Sequence, residues 1–235
     1  MRASPFDAIA RDYGILWNNS QRSQVWNEID SLFCPGDRIL DLGCGTGEDA
    51  MHFVGRGVDV FGIDASPNMV EIARSRGVTV QRMEIERLHT LEGQFHGAIS
   101  NFGALNCVAD LRPSAAQLSR LIRPGGAVAL CLMGRFAWGE TLKFVCKLNW
   151  RRAVRRWSGR AIWRGMEVYY HSSPQIRAAL APEFMFERRI SIGRGDHQLY
   201  LFRRGAPTGD LATLPGGAGV GTPVRCGARF KEAAW

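Results

Sequence analysis

Between Asp41 and Gly47 the chain reads DLGCGTG, three glycines in alternate positions behind one acid. Glycines at 43, 45 and 47 let the main chain turn tightly and approach a ligand without side-chain bulk. The apolar run RILDLG (38–43) precedes this loop, and a helical pattern over 46–55, with Ala50, Phe53 and Val54 at helical spacing, follows it. In that context the start of the helix offers free N–H donors to a carboxylate or another anion. Asp64 ends the next apolar run, VDVFGID (58–64), where an acid accepts hydrogen bonds from ribose hydroxyls. Together these residues point to a nucleoside ligand.

Which nucleoside is partly legible. The dinucleotide fingerprint is G-x-G-x-x-G/A, and counting from Gly43 its sixth position is Glu48, where helix–strand packing needs a small residue. The acid at 41 also suits a ligand with an ammonium and a sulfonium better than a pyrophosphate. Asp64 fits either ligand.

The elements that must position these residues follow from periodicity. From 38 to 133 apolar runs alternate with helical patterns, the signature of βαβ units and a parallel sheet. The runs at 38–43, 58–64, VTVQRM (78–83), FHGAISN (95–101) and AVALCLM (127–133) read as five strands. Ser66 reads as a helix N-cap with Pro67 at the first helical position, and Gly77 as the residue that ends that helix. A further helix is expected at 113–122. Beyond it, 166–171 reads as extended, 174–181 as helical, and FMFERRI (184–190) and HQLYLFR (197–203) as a hairpin closed across 193–196. The expected organisation is one α/β domain over 1–204, a doubly wound Rossmann-like sheet with one late antiparallel strand, followed by a flexible Gly/Ala/Pro-rich tail over 205–235.

The 235 residues suit one such domain, and no apolar run reaches the ~18 residues needed to cross a bilayer. The first residues lack the apolar core of a secretory signal, so a cytoplasmic protein is expected. The six cysteines form no C-x-x-C pair, and neither a zinc site nor a disulfide framework is expected. The net charge of +8 is concentrated: residues 143–164 carry eight basic residues and no acid, and the rest of the chain balances at 22 of each sign.

At this point the chain resembles a known family. RILDLGCGTGEDAMHFVGRGVDVFGIDASPNMVEIAR is similar to the first two motifs of class I S-adenosylmethionine (SAM)-dependent methyltransferases, closest in style to the small-molecule branch that serves quinone biosynthesis. FDAIARDYG (6–14) resembles that family's FD-x-IA-x-x-YD opening, with Gly14 in place of Asp, and FHGAISNFGALN (95–106) and LIRPGG (121–126) extend the likeness. The resemblance implies SAM as cofactor, S-adenosylhomocysteine (SAH) as product, and strand order 3-2-1-4-5-7-6. It implies that Asp41, Gly43, Gly45 and Gly47 line the methionine and ribose side, with Cys44 beside them. Asp64 would hold the ribose with Ala65 adjacent, and Met69 would lie near the adenine. Glu84, next to Ile85, would meet the adenine amino group, although Asp is commoner there. Asn101, followed by Phe102, would flank the methionine, and Tyr13 would close over the cofactor. His96 replaces a frequent Asp and is expected to face away from the ligand.

Methyl transfer is an in-line displacement by an unprotonated nucleophile about 3 Å from the methyl carbon, and positioning alone supplies much of the rate. A base is needed only if the acceptor keeps its proton. His171 and Tyr170 are the catalytic candidates, with Tyr169 and His89 behind them; the plain alternative for His171 is a packing or surface histidine. His52 and His197 read as structural.

Residues 134–165 form a long connection in which Trp150, Val154, Trp157 and Ala161 recur at near-helical spacing among arginines. This reads as a basic amphipathic helix. It could cover an anionic or lipophilic acceptor, attach to a membrane surface, contact RNA, or simply be solvated with its tryptophans packed. The first is preferred. Asn101-Phe102-Gly103-Ala104 is not the N/D-P-P-aromatic motif of exocyclic-amine methyltransferases, which argues against nucleic-acid adenine and glutamine acceptors. The favoured partner is a small-molecule acceptor. Methylation of RNA or protein through the basic segment, and a non-catalytic SAM-binding module, are the alternatives.

Overall fold

Parallel pairing of β1 (Arg38–Leu42) with both β2 (Asp59–Asp64) and β4 (Phe95–Ser100) sets the centre of the sheet. In this computed structural model the described residues are 6–7, 10, 19–135, 158–163, 165–181 and 183–205. β3 (Thr79–Arg82) flanks β2, and β5 (Ile122–Met133) flanks β4, both in parallel. A hairpin of β8 (Phe184–Ile192) and β9 (His197–Arg204) completes the sheet, with β9 antiparallel to β5. The order is β3-β2-β1-β4-β5-β9-β8. Because β6 (Arg160–Trp163) and β7 (Met166–Tyr169) form a separate antiparallel pair, this is the expected 3-2-1-4-5-7-6 arrangement with one antiparallel strand.

The strands read as nearly continuous apolar runs because both faces are covered. Alternate residues of β5 divide accordingly: Val128, Leu130 and Leu132 join one core with Leu40, Leu42 and Ile63, while Ala127, Ala129 and Cys131 join the other with Ile39, Val60 and Ile99. Helices α2 (Glu48–Val54), α3 (Pro67–Ser75), α4 (Leu111–Leu121) and α5 (Ser173–Leu180) follow the sequence pattern closely. The Ser66 hydroxyl accepts from Met69 N at 3.2 Å, the capping bond expected at the start of α3. Helix α4 starts two residues early because Asp110, accepting from Arg112 N, is its cap. Strand β5 also starts early. Ile122 already pairs with Phe95, and Pro124-Gly125 is absorbed as an irregularity in the β4–β5 ladder.

Two features depart from the sequence reading. Helix α1 (Asn19–Ile29) was not anticipated, since its only fully apolar contacts come from Val25 and Ile29 on a polar background. Ala161 lies in strand β6 and not on a helix face: Gly159 and Gly165, at φ +77° and +82°, bracket a short extended segment whose Ile162 is 74% exposed. The remainder of the basic connection, including Trp150, Val154 and Trp157, lies outside the described residues, as do Tyr13 and the tail beyond 205. No helix among the described residues is long and apolar enough to cross a membrane.

Candidate cofactor cleft

The C-terminal ends of β1, β2 and β4 meet at one edge of the sheet, the crevice where open α/β sheets bind ligands. Past Leu42 the chain turns through Gly43, Gly45 and Gly47 at φ +74°, +55° and +86°. Gly43 N and Cys44 N both donate to the Ile63 carbonyl at 2.8 and 2.9 Å, holding the loop against β2. A Cβ on Gly43 would collide with that of Ala104, and one on Gly47 would lie 2.8 Å from Val78 Cγ2. Gly47 therefore permits close packing of α2 against the α3–β3 connection and does not line the cleft. Cys44 also corrects its expected role: its thiol packs over Gly62 in the core, and burial pushes its pKa well up.

Asp64 joins the loop to the next turn. One carboxylate oxygen accepts from Gly45 N and the other from Ser66 N, each at 2.9 Å. Burial raises its pKa, and these two bonds oppose the rise. Asp41, 1% exposed in the middle of the sheet, has an Oδ2 with no hydrogen-bond partner among the described residues. Burial, then repulsion from Asp49, holds its carboxyl well above the ordinary range, against the pull of Arg22. Arg22, on α1, is itself buried. It pairs with Asp49 at 2.6 Å and lies 4.9 Å from the centre of the Phe102 ring, while Trp26 Nε1 donates to Asp49 at 2.8 Å. The position that fails the dinucleotide fingerprint, Glu48, is occupied structurally: it accepts from Thr46 Oγ1 and from Arg76, which also grips the Thr46 carbonyl at 2.8 Å.

At the end of β4 the Ser100 hydroxyl donates to the Leu42 carbonyl at 2.8 Å. Both amide atoms of the buried Asn101 lack a partner among the described residues. Phe102 has φ +54°, a conformation costly for a residue with a side chain and one that clusters at functional sites. The next turn, Ala104–Cys107, is fixed by fully buried Asn106, which donates to the Tyr169 and Met133 carbonyls at 2.7 and 3.3 Å and accepts from Met133 N at 2.8 Å.

These elements line an open cleft of about 130 Å³. Nine of the sequence-identified residues line it: Gly43, Gly45, Asp64, Ala65, Met69, Glu84, Ile85, Asn101 and Phe102. Asp41 lies just beneath the loop and is not part of the lining. Sequence reasoning missed Phe6, Met83, Glu86, Ala104, Cys107, Val108 and Met166. Phe6 was within the recognised FDAIARDYG opening. It packs 5.6 Å from Trp163 of β6, in a contact group with Ala10 and Met69, and so roofs one end of the cleft.

The candidate bases fall elsewhere. None of His171, Tyr170, Tyr169 and His89 lines the cleft. His171 Nε2 lies 2.9 Å from the Val108 carbonyl and donates to it at the back of the cleft wall, and burial pushes its pKa down. Tyr170 is buried and its backbone N–H donates to the Gly159 carbonyl at 2.8 Å. The Tyr169 hydroxyl donates to Glu167, and His89 is exposed in the turn Ile85–Thr90. His96 lies at the opposite end of the sheet, where Nδ1 accepts from Arg38 N at 2.9 Å and Nε2 faces Arg123. Among the described residues no group of three His, Cys, Asp or Glu could hold a metal ion.

Comparison with known proteins agrees with this geometry. Residues 39–126 match the family model described as a methyltransferase domain. The chain is 30% identical over 141 residues to 2-phytyl-1,4-naphtoquinone methyltransferase of Trichormus variabilis, covering 53% of this chain and 61% of that protein. It is 28% identical over 189 residues to demethylmenaquinone methyltransferase of Mycobacterium marinum, covering 75% and 77%. The chain thus spans less than two thirds of the first of these relatives. Magnesium protoporphyrin IX methyltransferase from Synechocystis, solved with bound SAH, shares the fold at TM-score 0.58 and 19% identity, covering 80% of this chain and 83% of that one. Residues 39–126 are thus similar to methyltransferase domains, and a protein that shares the fold is solved with SAH in place.

Proposed function

We propose that the protein transfers the methyl group of SAM to a small, aromatic or lipophilic acceptor and works in the cytoplasm. The observation that carries this reading is the pairing of unsatisfied buried polar atoms, Asp41 Oδ2 and the Asn101 amide, with the glycine loop and Asp64. A buried polar group without a partner is costly, so an arrangement that keeps three such atoms together is suited to a ligand that satisfies them. An amino-acid ammonium and carboxylate answer an acid and an amide; ribose hydroxyls answer the free lone pairs of Asp64. Apolar Met69, Met83 and Ile85 suit the faces of a purine, and Glu84, at the end of β3, can accept from its amino group. The residues present fit the cofactor.

SAM supplies, when bound, an activated methyl on a positive sulfur. The protein's part is positioning and exclusion of water. Asp64 and Asp41 would orient the two ends of the nucleoside amino acid, while Phe102 and the Ala104–Cys107 turn shape the wall next to the reacting carbon. Among the described lining residues the ionisable groups are Asp64, Glu84, Glu86 and Cys107, whose thiol is pushed up to about 12 by burial. No histidine, lysine or tyrosine is among them. An acceptor whose nucleophile is already ionised or carries a free lone pair, such as a phenolate, an activated aromatic carbon or an amine, needs no base from these residues. His171 acts here through the cleft wall and not on the reacting atoms of the acceptor. The names of the relatives, which refer to naphthoquinones, support a ring of that class. Transfer of labelled methyl from SAM to reduced naphthoquinones or phenols tests the reading: turnover is expected, and its absence across such a panel with SAM binding intact contradicts it.

A further inference from the structure

A second cavity of about 460 Å³ lies over the β5, β9 and β8 end of the same sheet edge, and it is basic. Arg135, Arg189 and Arg194 line it, with His171 and the Ser172–Ser173 start of α5; no carboxylate side chain is among the described lining residues. The arginines of this region are not equivalent. On the same two strands Arg188 pairs with Glu28 at 3.1 Å, Arg203 with Glu187 at 2.8 Å and Arg204 with Glu183 at 3.2 Å. Arg189 and Arg194 have no carboxylate partner among the described residues, and both face the cavity. The cavity also backs directly onto the cofactor cleft. His171 lines it and donates to Val108, a cleft residue, and Gly134 lines it immediately after Met133, which Asn106 ties to the cleft turn.

We infer that this cavity binds a phosphate or carboxylate group and that the methyl acceptor carries that group. The guanidinium fork matches either anion with paired charge-assisted hydrogen bonds, and the hydroxyl of Ser173 can satisfy a remaining oxygen. The acceptor would then be amphipathic: its reacting ring faces the apolar cleft, and its anion is held on the far side of the His171 wall. The acceptor half of this inference rests on the methyl-transfer reading; the anion site itself does not.

Titration of the full chain with inorganic pyrophosphate at low salt, with and without saturating SAH, separates the two. Saturable binding is expected, weakened about tenfold or more in Arg189→Gln and again in Arg194→Gln, with SAH affinity unchanged because neither residue touches the cleft. Equal binding in wild type and the double variant, or none in either, overturns the site. So does binding only to an RNA oligonucleotide, since that is a polyanion surface and not a cavity for one group. Pyrophosphate should also inhibit methyl transfer from labelled SAM to a pooled metabolite fraction in the wild type. Binding without inhibition removes the acceptor as the source of the anion, and failure of SAH to bind overturns the methyl-transfer reading while leaving the anion site standing.

Discussion

Asp41 is a carboxyl held in the sheet interior with one oxygen unsatisfied, so its charge state is set by what occupies the loop above it. In the unliganded protein its pKa is well above the ordinary 3.8, chiefly from burial. The folded chain then binds a proton that the unfolded chain has lost, and this group's contribution to stability falls as pH rises from the ordinary carboxylate value through the raised one. An ammonium nearby reverses the preference. SAM binding is therefore expected to release a proton and to weaken as pH drops below the raised pKa, which calorimetry in buffers of different ionisation enthalpy reads directly. Asp41→Asn should lose the proton release and bind SAM more weakly, while the unliganded fold melts no lower than wild type. Asp64→Ala should behave differently. It removes the acceptor of Gly45 N and Ser66 N as well as the proposed ribose contact, so SAH affinity should fall by about tenfold or more and stability by about 1–3 kcal/mol; normal SAH titration in this variant would remove Asp64 from the site.

Helix α1 governs the loop from below. Its Arg22 is the buried counter-charge of Asp49 and lies against Phe102, whose backbone is itself strained. Replacing Arg22 with Met leaves Asp49 buried with only Trp26, and breaking such a pair costs about 3–5 kcal/mol. A denaturant midpoint unchanged in Arg22→Met would mean that the pair is not structural. Gly47→Ala is expected to destabilise by about 1–3 kcal/mol, from positive φ and the clash with Val78. The βαβ elements were legible because buried parallel strands are long apolar runs and Ser66-Pro67 is an unambiguous helix start. Helix α1 was not, because three apolar residues on a polar helix leave little periodic signal and the buried Arg22 looks like surface. Strand β6 was hidden by neighbouring arginines and tryptophans that match a helical period as well as an extended one, although β7 was legible as extended; Gly159 and Gly165, needed at positive φ, decide the matter.

At the scale of the molecule, the cofactor side of the cleft was readable and the acceptor side was not. Glycine, Asp64 and Asn101 act at fixed distances along the chain from β1, β2 and β4, so spacing locates them. Met166, Val108 and Phe6 reach the cleft from three distant segments, joined by Asn106 and by the Phe6–Trp163 contact, and no local pattern announces such a meeting. His171 reads in the sequence as a candidate base, but it stands outside the cleft lining with its Nε2 on a backbone carbonyl of the cleft wall. The central claim is that the glycine loop, Asp41, Asp64 and Asn101 form a site for a sulfonium nucleoside. Thermal melting of the full chain with SAH and, separately, with NAD tests it most directly. At about a hundredfold excess over the dissociation constant a single-site ligand adds about 2.7 kcal/mol, which for a chain of this length is a rise of roughly 5–10 °C. A rise of that size with SAH and none with NAD is the predicted result. A melting temperature indifferent to SAH but raised by NAD would contradict the account.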